Sequence, residues 1–161
     1  MKMYTNFASV ILIAIVVMLH FGCYKHEVNP DNETKYLIFG HYYGECGGER
    51  CVETYKLTKT RLFEDELDTY MSIGPFRFFE LSNQKFELVK DLFDFVPAKL
   101  LASEEQTFGC PDCGDWGGLM IRYAENNQMK TWFIDQQKSD VPEYLHPLID
   151  KINEKIKLIN E

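Results

Sequence analysis

Tyr36-Leu-Ile-Phe-Gly-His-Tyr-Tyr43 is the stretch on which the fold turns. Aromatic and β-branched residues dominate it, and such residues favour the pleated, half-buried surface of a strand. A Gly-containing loop then leads to Cys51-Val-Glu-Thr-Tyr-Lys-Leu-Thr58. There Cys51, Tyr55 and Leu57 share one face and Val52, Thr54, Lys56 and Thr58 the other, which predicts a half-buried strand in an antiparallel sheet. Lys59-Thr60 turns the chain into a short third strand, Arg61 to Glu64.

The rest of the domain follows from periodicity and punctuation. The acidic run Glu64-Asp65-Glu66-Leu67-Asp68 reads as a solvated loop or helix start in preference to a metal site. Gly74-Pro75 interrupts the chain, and Ser82 is placed to cap a helix from Asn83 to Phe95 whose Phe86, Val89, Leu92, Phe93 and Val96 recur at helical spacing. Pro97 ends that helix and opens a short second one, Ala98 to Ala102. Leu119 to Ala124 and Met129 to Asp135 flank Glu125-Asn126-Asn127-Gln128, an asparagine turn that predicts a hairpin. Asp140 and Glu143 have the spacing of a capping box, ahead of an apolar stripe through Leu145, Leu148, Ile149, Ile152, Ile156 and Ile159; Pro147 is an alternative first helical residue. The expected class is α+β: a single domain, residues 36–161, with an antiparallel sheet of about five strands and two main helices packed on one face.

Upstream, Phe7 to Leu19 is an uncharged apolar run behind the lone Lys2, too short for the ~20 residues a membrane-spanning helix needs. It reads as a secretory signal, residues 1–22. It ends in Gly22-Cys23, and a cysteine directly behind a small residue resembles the lipobox of bacterial lipoproteins, although His20 stands where that pattern prefers leucine and Leu19 is displaced by one. The resemblance implies lipidation of Cys23 and a membrane anchor at the cell envelope, on the periplasmic or outer-membrane side. Residues 23–35 are polar, carry Asn29-Pro30-Asp31 and read as a tether; Asn32-Glu33-Thr34 matches a glycosylation acceptor by coincidence of composition.

The net charge of -8 becomes -9 once the +1 of Lys2 leaves with the signal. Acidity of this degree argues against nucleic acid, whose phosphates it repels. The mature chain is large enough to bury about two-thirds of its unfolded surface without help.

Four cysteines remain, as Cys46-Gly-Gly-Glu-Arg-Cys51 and Cys110-Pro-Asp-Cys113-Gly114. An oxidising compartment favours disulfides, paired locally or crossed between the loops. Zinc held by Cys46, Cys51, Cys110 and Cys113 is the second chemistry, since Cys110-Pro-Asp-Cys113-Gly114 looks like one knuckle of a zinc ribbon; it needs both loops side by side. A thiol-disulfide oxidoreductase acting through Cys110 and Cys113 is the third, but Gly-Asp-Trp-Gly-Gly follows the pair where an activating helix would have to begin.

His41 could serve as a ligand or base near Cys46, though a histidine flanked by aromatics on a half-buried strand is expected to be packed and hydrogen-bonded. Glu45, Glu49 and Asp115 read as solvated loop carboxylates, and Trp116 and Trp132 as core residues in preference to exposed binding anchors. No catalytic residue is assigned: phosphate-binding glycine loops, nucleophile elbows and His-Glu-x-x-His helices are all missing from the sequence. The segments Phe39-Gly-His-Tyr-Tyr-Gly-Glu-Cys46 and Phe108-Gly-Cys-Pro-Asp-Cys113 resemble a family of small uncharacterised bacterial lipoproteins. That resemblance implies export and paired cysteines and carries no activity. The expectation is therefore a lipid-anchored, non-catalytic domain that needs no cofactor and presents a surface to an unidentified protein or small molecule.

Overall fold

The computed structural model describes residues 34–161, all within one compact unit, Asn32–Glu161. The signal run, Cys23 and nearly all of the tether, including the Asn32 acceptor, lie outside the described residues. The fold is α+β, with seven strands in the order β4-β3-β2-β1-β6-β7-β5. Lys35–Tyr42 (β1) sits at the centre, antiparallel both to Val52–Thr58 (β2) and to Gly118–Glu125 (β6), so that Phe39 pairs with Tyr55 on one side and Ile121 on the other. Leu62–Asp65 (β3) and Phe78–Glu80 (β4) extend the sheet beyond β2, and Gln128–Asp135 (β7) extends it beyond β6. Thr107–Phe108 (β5) closes the far edge, parallel to β7. The sheet thus exceeds the five expected strands by its two shortest, β4 and β5, which are too brief to show a period.

One face carries the main core. Leu37, Phe39, Tyr55, Leu57, Leu119 and Ile121 meet Phe86 and Val89 of Asn83–Val89 (α1) and the apolar stripe of His146–Ile159 (α3). Each fully buried Leu or Ile on that stripe contributes roughly 1.5–3 kcal/mol of transfer free energy, which makes α3 the principal lid of the sheet. Ser82 Oγ accepts from Lys85 N at 3.4 Å, forming the expected cap of α1. The helix expected to run on to Phe95 instead tightens into a 3₁₀ segment over Lys90–Phe95. Lys155 Nζ donates to the Leu88 carbonyl at 2.6 Å, occupying the acceptor an unbroken α-helix would offer to Leu92. Pro97 precedes the short helix Ala98–Leu101 (α2).

The opposite face corrects the expectation of a half-exposed strand, because every residue of β2 is buried. Ile38, Tyr42, Val52 and Met120 form a second cluster beneath Met71 and Phe76, carried by the chain between β3 and β4, and Phe78, the first residue of β4. Ser72 is pinned there by a 2.6 Å hydrogen bond from Thr54 Oγ1. The acidic run also differs from its reading as a solvated loop. Glu64 and Asp65 belong to β3, and Asp65 is buried with Oδ1 accepting from Arg77 N. Asp140 and Glu143 make no capping box; Asp140 ends one 3₁₀ turn, Glu143 begins another, and α3 starts at His146 with Pro147 in its first turn.

Candidate functional site: the stapled loops

The ends of β1 and β6 carry both cysteine loops. Tyr43 N donates to Cys51 O at 2.9 Å, extending the β1–β2 ladder past Tyr42 and bringing the hairpin strands together where the bridge forms. Cys46 and Cys51 are joined by a disulfide with a Cα separation of 5.6 Å, and Cys110 and Cys113 by another with a separation of 5.4 Å. Both separations fall in the usual disulfide range. Rings this small stabilise by about 2 kcal/mol each through restriction of the unfolded chain.

Asp112 joins the two loops. Its backbone is left-handed (φ 64°), a conformation Asp tolerates, and its carboxylate turns back over the Cys110 ring. Oδ2 accepts from Gly44 N at 2.6 Å and from the Tyr70 hydroxyl at 2.7 Å, while Oδ1 accepts from Gly117 N at 3.0 Å. The Asp112 hydrogen bond, assisted by partial burial and by the nearby carboxylate charge, holds the Tyr70 phenol above its ordinary pKa. Asp135, at the end of β7, fixes the base of the second loop by accepting from Cys110 N at 3.0 Å and Gln137 N at 2.8 Å. Between these supports lies an open groove of about 560 Å³ whose lining includes Cys46, Cys51, Asp68, Tyr70, Asp112 and Asp115.

The two loops are therefore neighbours, as the zinc reading requires, but every one of the four sulfurs is committed to a local bridge. Among the described residues, no three His, Cys, Asp or Glu side chains are grouped to hold a metal ion. After Cys113 the chain continues through turn and bend to β6, with no helix N-terminus to activate a thiolate.

His41 is packed as expected: Nε2 lies 3.1 Å from the Arg50 carbonyl oxygen, and the ring meets Tyr43 edge-on at 5.2 Å. Glu45 and Asp115 are exposed loop carboxylates; the Glu49 side chain lies outside the described residues. Trp132 is a core residue. Trp116 contradicts its reading as core: it is 65% exposed, because the tight turn through Asp115 (φ 58°) and Gly117 (φ 78°) lifts it off the sheet. Asp112 and Tyr70 were not singled out from sequence, although an Asp inside a Cys-x-x-Cys turn is a recognisable signal for a left-handed backbone and a carboxylate that bonds nearby amides.

No protein-family model and no curated protein matches the chain.

Proposed function

We propose that the chain is an exported bacterial lipoprotein, anchored to an envelope membrane through lipid on Cys23, whose stapled domain works by non-covalent binding. The observation that carries this reading is the local closure of both cysteine pairs around one carboxylate clamp. Short, partly exposed disulfides of this kind persist outside the cytosol and are rapidly reduced within it. Export toward an oxidising compartment is also what the apolar run ahead of Gly22-Cys23 encodes. No described helix is long and apolar enough to cross a membrane. Attachment in this reading falls to lipid on Cys23. A non-catalytic role is supported by sulfurs committed to structure and by loop carboxylates that act as clamps.

Cell fractionation tests the anchor. The wild-type protein is expected in the membrane fraction, and Cys23→Ala in the soluble or unprocessed fraction. A wild-type product recovered soluble from the cytosol, with its leader intact, overturns the reading.

A further inference from the structure

Glu53 projects from β2 toward the helix side of the sheet, beside Tyr55, and is 7% exposed. Its Oε2 accepts from the Tyr55 hydroxyl at 2.5 Å and from Asn160 Nδ2 beyond the end of α3. Both donors are neutral and both serve the same oxygen. Among the described residues no Lys or Arg pairs with Glu53, and Oε1 receives no hydrogen bond. A second carboxylate, Glu64, faces the same tyrosine and is held above its ordinary pKa by burial and by the charge of Glu53. The charge of Lys85 offsets that rise only in part, and Glu53 Oε1 is left open toward the adjoining cleft.

Two adjoining grooves open over Glu53. One, of about 570 Å³, is lined by Arg50 and Glu53 together with Lys157, which pairs with Glu161 at 3.7 Å; the other, of about 330 Å³, shares Arg50 and Glu53 and is otherwise acidic, with Glu64, Asp65, Glu66 and Asp68. Gln136 and Asn153 are locked in a chain, Asn153 Nδ2 to Gln136 Oε1 at 3.0 Å and Gln136 Nε2 to the Tyr43 hydroxyl at 2.8 Å, so the wall is preorganised. Arg50 stands on the exposed Cys46–Cys51 loop and lines both grooves without forming an ion pair to Glu53 or to any other described residue. A guanidinium with no ion pair among the described residues and a buried carboxylate therefore face one cleft without meeting.

We propose that this cleft binds a small zwitterion of amino-acid or dipeptide size, its ammonium on Glu53 and its carboxylate on Arg50. A bare divalent cation fits poorly, because the carboxylates do not converge as a metal site. A neutral polyol would supply donors but leave the Glu53–Glu64 charge uncompensated. An ammonium supplies both, and the guanidinium fork suits a carboxylate. The proposal builds on the binding role above but is independent of the anchor, since membrane fractionation and ligand titration of one preparation are read separately.

The test is calorimetric titration of the full chain with the common L-amino acids and a set of glycyl dipeptides, each alongside its N-acetylated and C-amidated counterparts. At least one free probe is expected to bind, with acetylation or amidation weakening it about tenfold to a hundredfold, the range of one charged hydrogen bond. Tighter binding by amino acids or by dipeptides identifies which source the cleft serves. Glu53→Gln keeps the shape and the acceptor for Tyr55 and is expected to lose binding. Arg50→Gln, a substitution of an exposed side chain, is expected to weaken binding by the same factor. Absence of binding by every probe, equal binding of blocked probes, or unchanged affinity in Arg50→Gln overturns the proposal.

Discussion

The carboxylate of Asp112 accepts a hydrogen bond from the amide of Gly44, 68 residues away in sequence, at 2.6 Å. That bond makes two independently stapled loops into one rigid end of the sheet. Asp112→Ala removes acceptors for Gly44, Tyr70 and Gly117 together and strains a left-handed position, so a loss of about 2 kcal/mol in denaturant stability is expected. Asp112→Asn preserves the turn and should cost less. In both variants the Tyr70 ring, followed by NMR, should titrate closer to an ordinary tyrosine, because the hydrogen bond that holds its proton is gone or weakened.

Gly40 pairs with Thr54 of β2, and a Cβ there would stand 2.2 Å from the Glu53 carbonyl oxygen and 3.0 Å from Thr54 Cα. Both obstacles are backbone, so neither can rotate away. Gly40→Ala is expected to cost at least about 2 kcal/mol by prising the central pair apart, read as a fall in Tm with retained far-ultraviolet dichroism.

Glu64 sets a pH dependence of defined sign. Its pKa is raised in the folded state, by burial first and then by the charge of Glu53. The stability associated with it is therefore complete below the unfolded-state value and declines as pH rises through the raised folded value. Glu64→Gln should raise Tm at neutral pH and leave it unchanged below about pH 3, where the wild-type carboxyl is protonated in both states.

Lys155 is 6% exposed and bridges α3 to the α1 region, donating to the Leu88 carbonyl and pairing with Asp91 at 2.7 Å. Burial pushes the Asp91 carboxyl up, but the Lys155 hydrogen bond and charge outweigh it and bring it below its ordinary value. Asp91 thus adds stability above its unfolded-state pKa, and that stability is lost as pH falls through the depressed folded value. Lys155→Met is expected to destabilise by about 1–3 kcal/mol at neutral pH and to diminish this part of the acid limb, as measured by denaturation from pH 7 to 3.

What the sequence discloses follows the range of the forces involved. β1, β2, the β6–β7 hairpin and the stripe of α3 are legible because their side-chain periods are local, and Asn126 and Asn127, both left-handed (φ 51° and 63°), mark their turn outright. The second covered face is not legible. It depends on Met71, Phe76 and Phe78 reaching Ile38 and Met120 across the sheet, and no local pattern distinguishes that strap from a loop. The break after Val89 is set by Lys155, far along the chain, and the exposure of Trp116 by the turn beneath it. At the site, the spacing of the cysteines left local bridges, crossed bridges and zinc open; what decides among them is the pairing of β1 with β2, which draws Cys51 toward Cys46, and the tight turn that closes Cys110 on Cys113.

The most direct test of the whole account is non-reducing peptide mapping by mass spectrometry of thiol-blocked protein taken from its native host cells. The account predicts two locally bridged peptides, Cys46 with Cys51 and Cys110 with Cys113, and a mature N-terminus at a lipid-modified Cys23. Four blocked, formerly free thiols on a chain that still begins at Met1, with zinc released on denaturation, would contradict it.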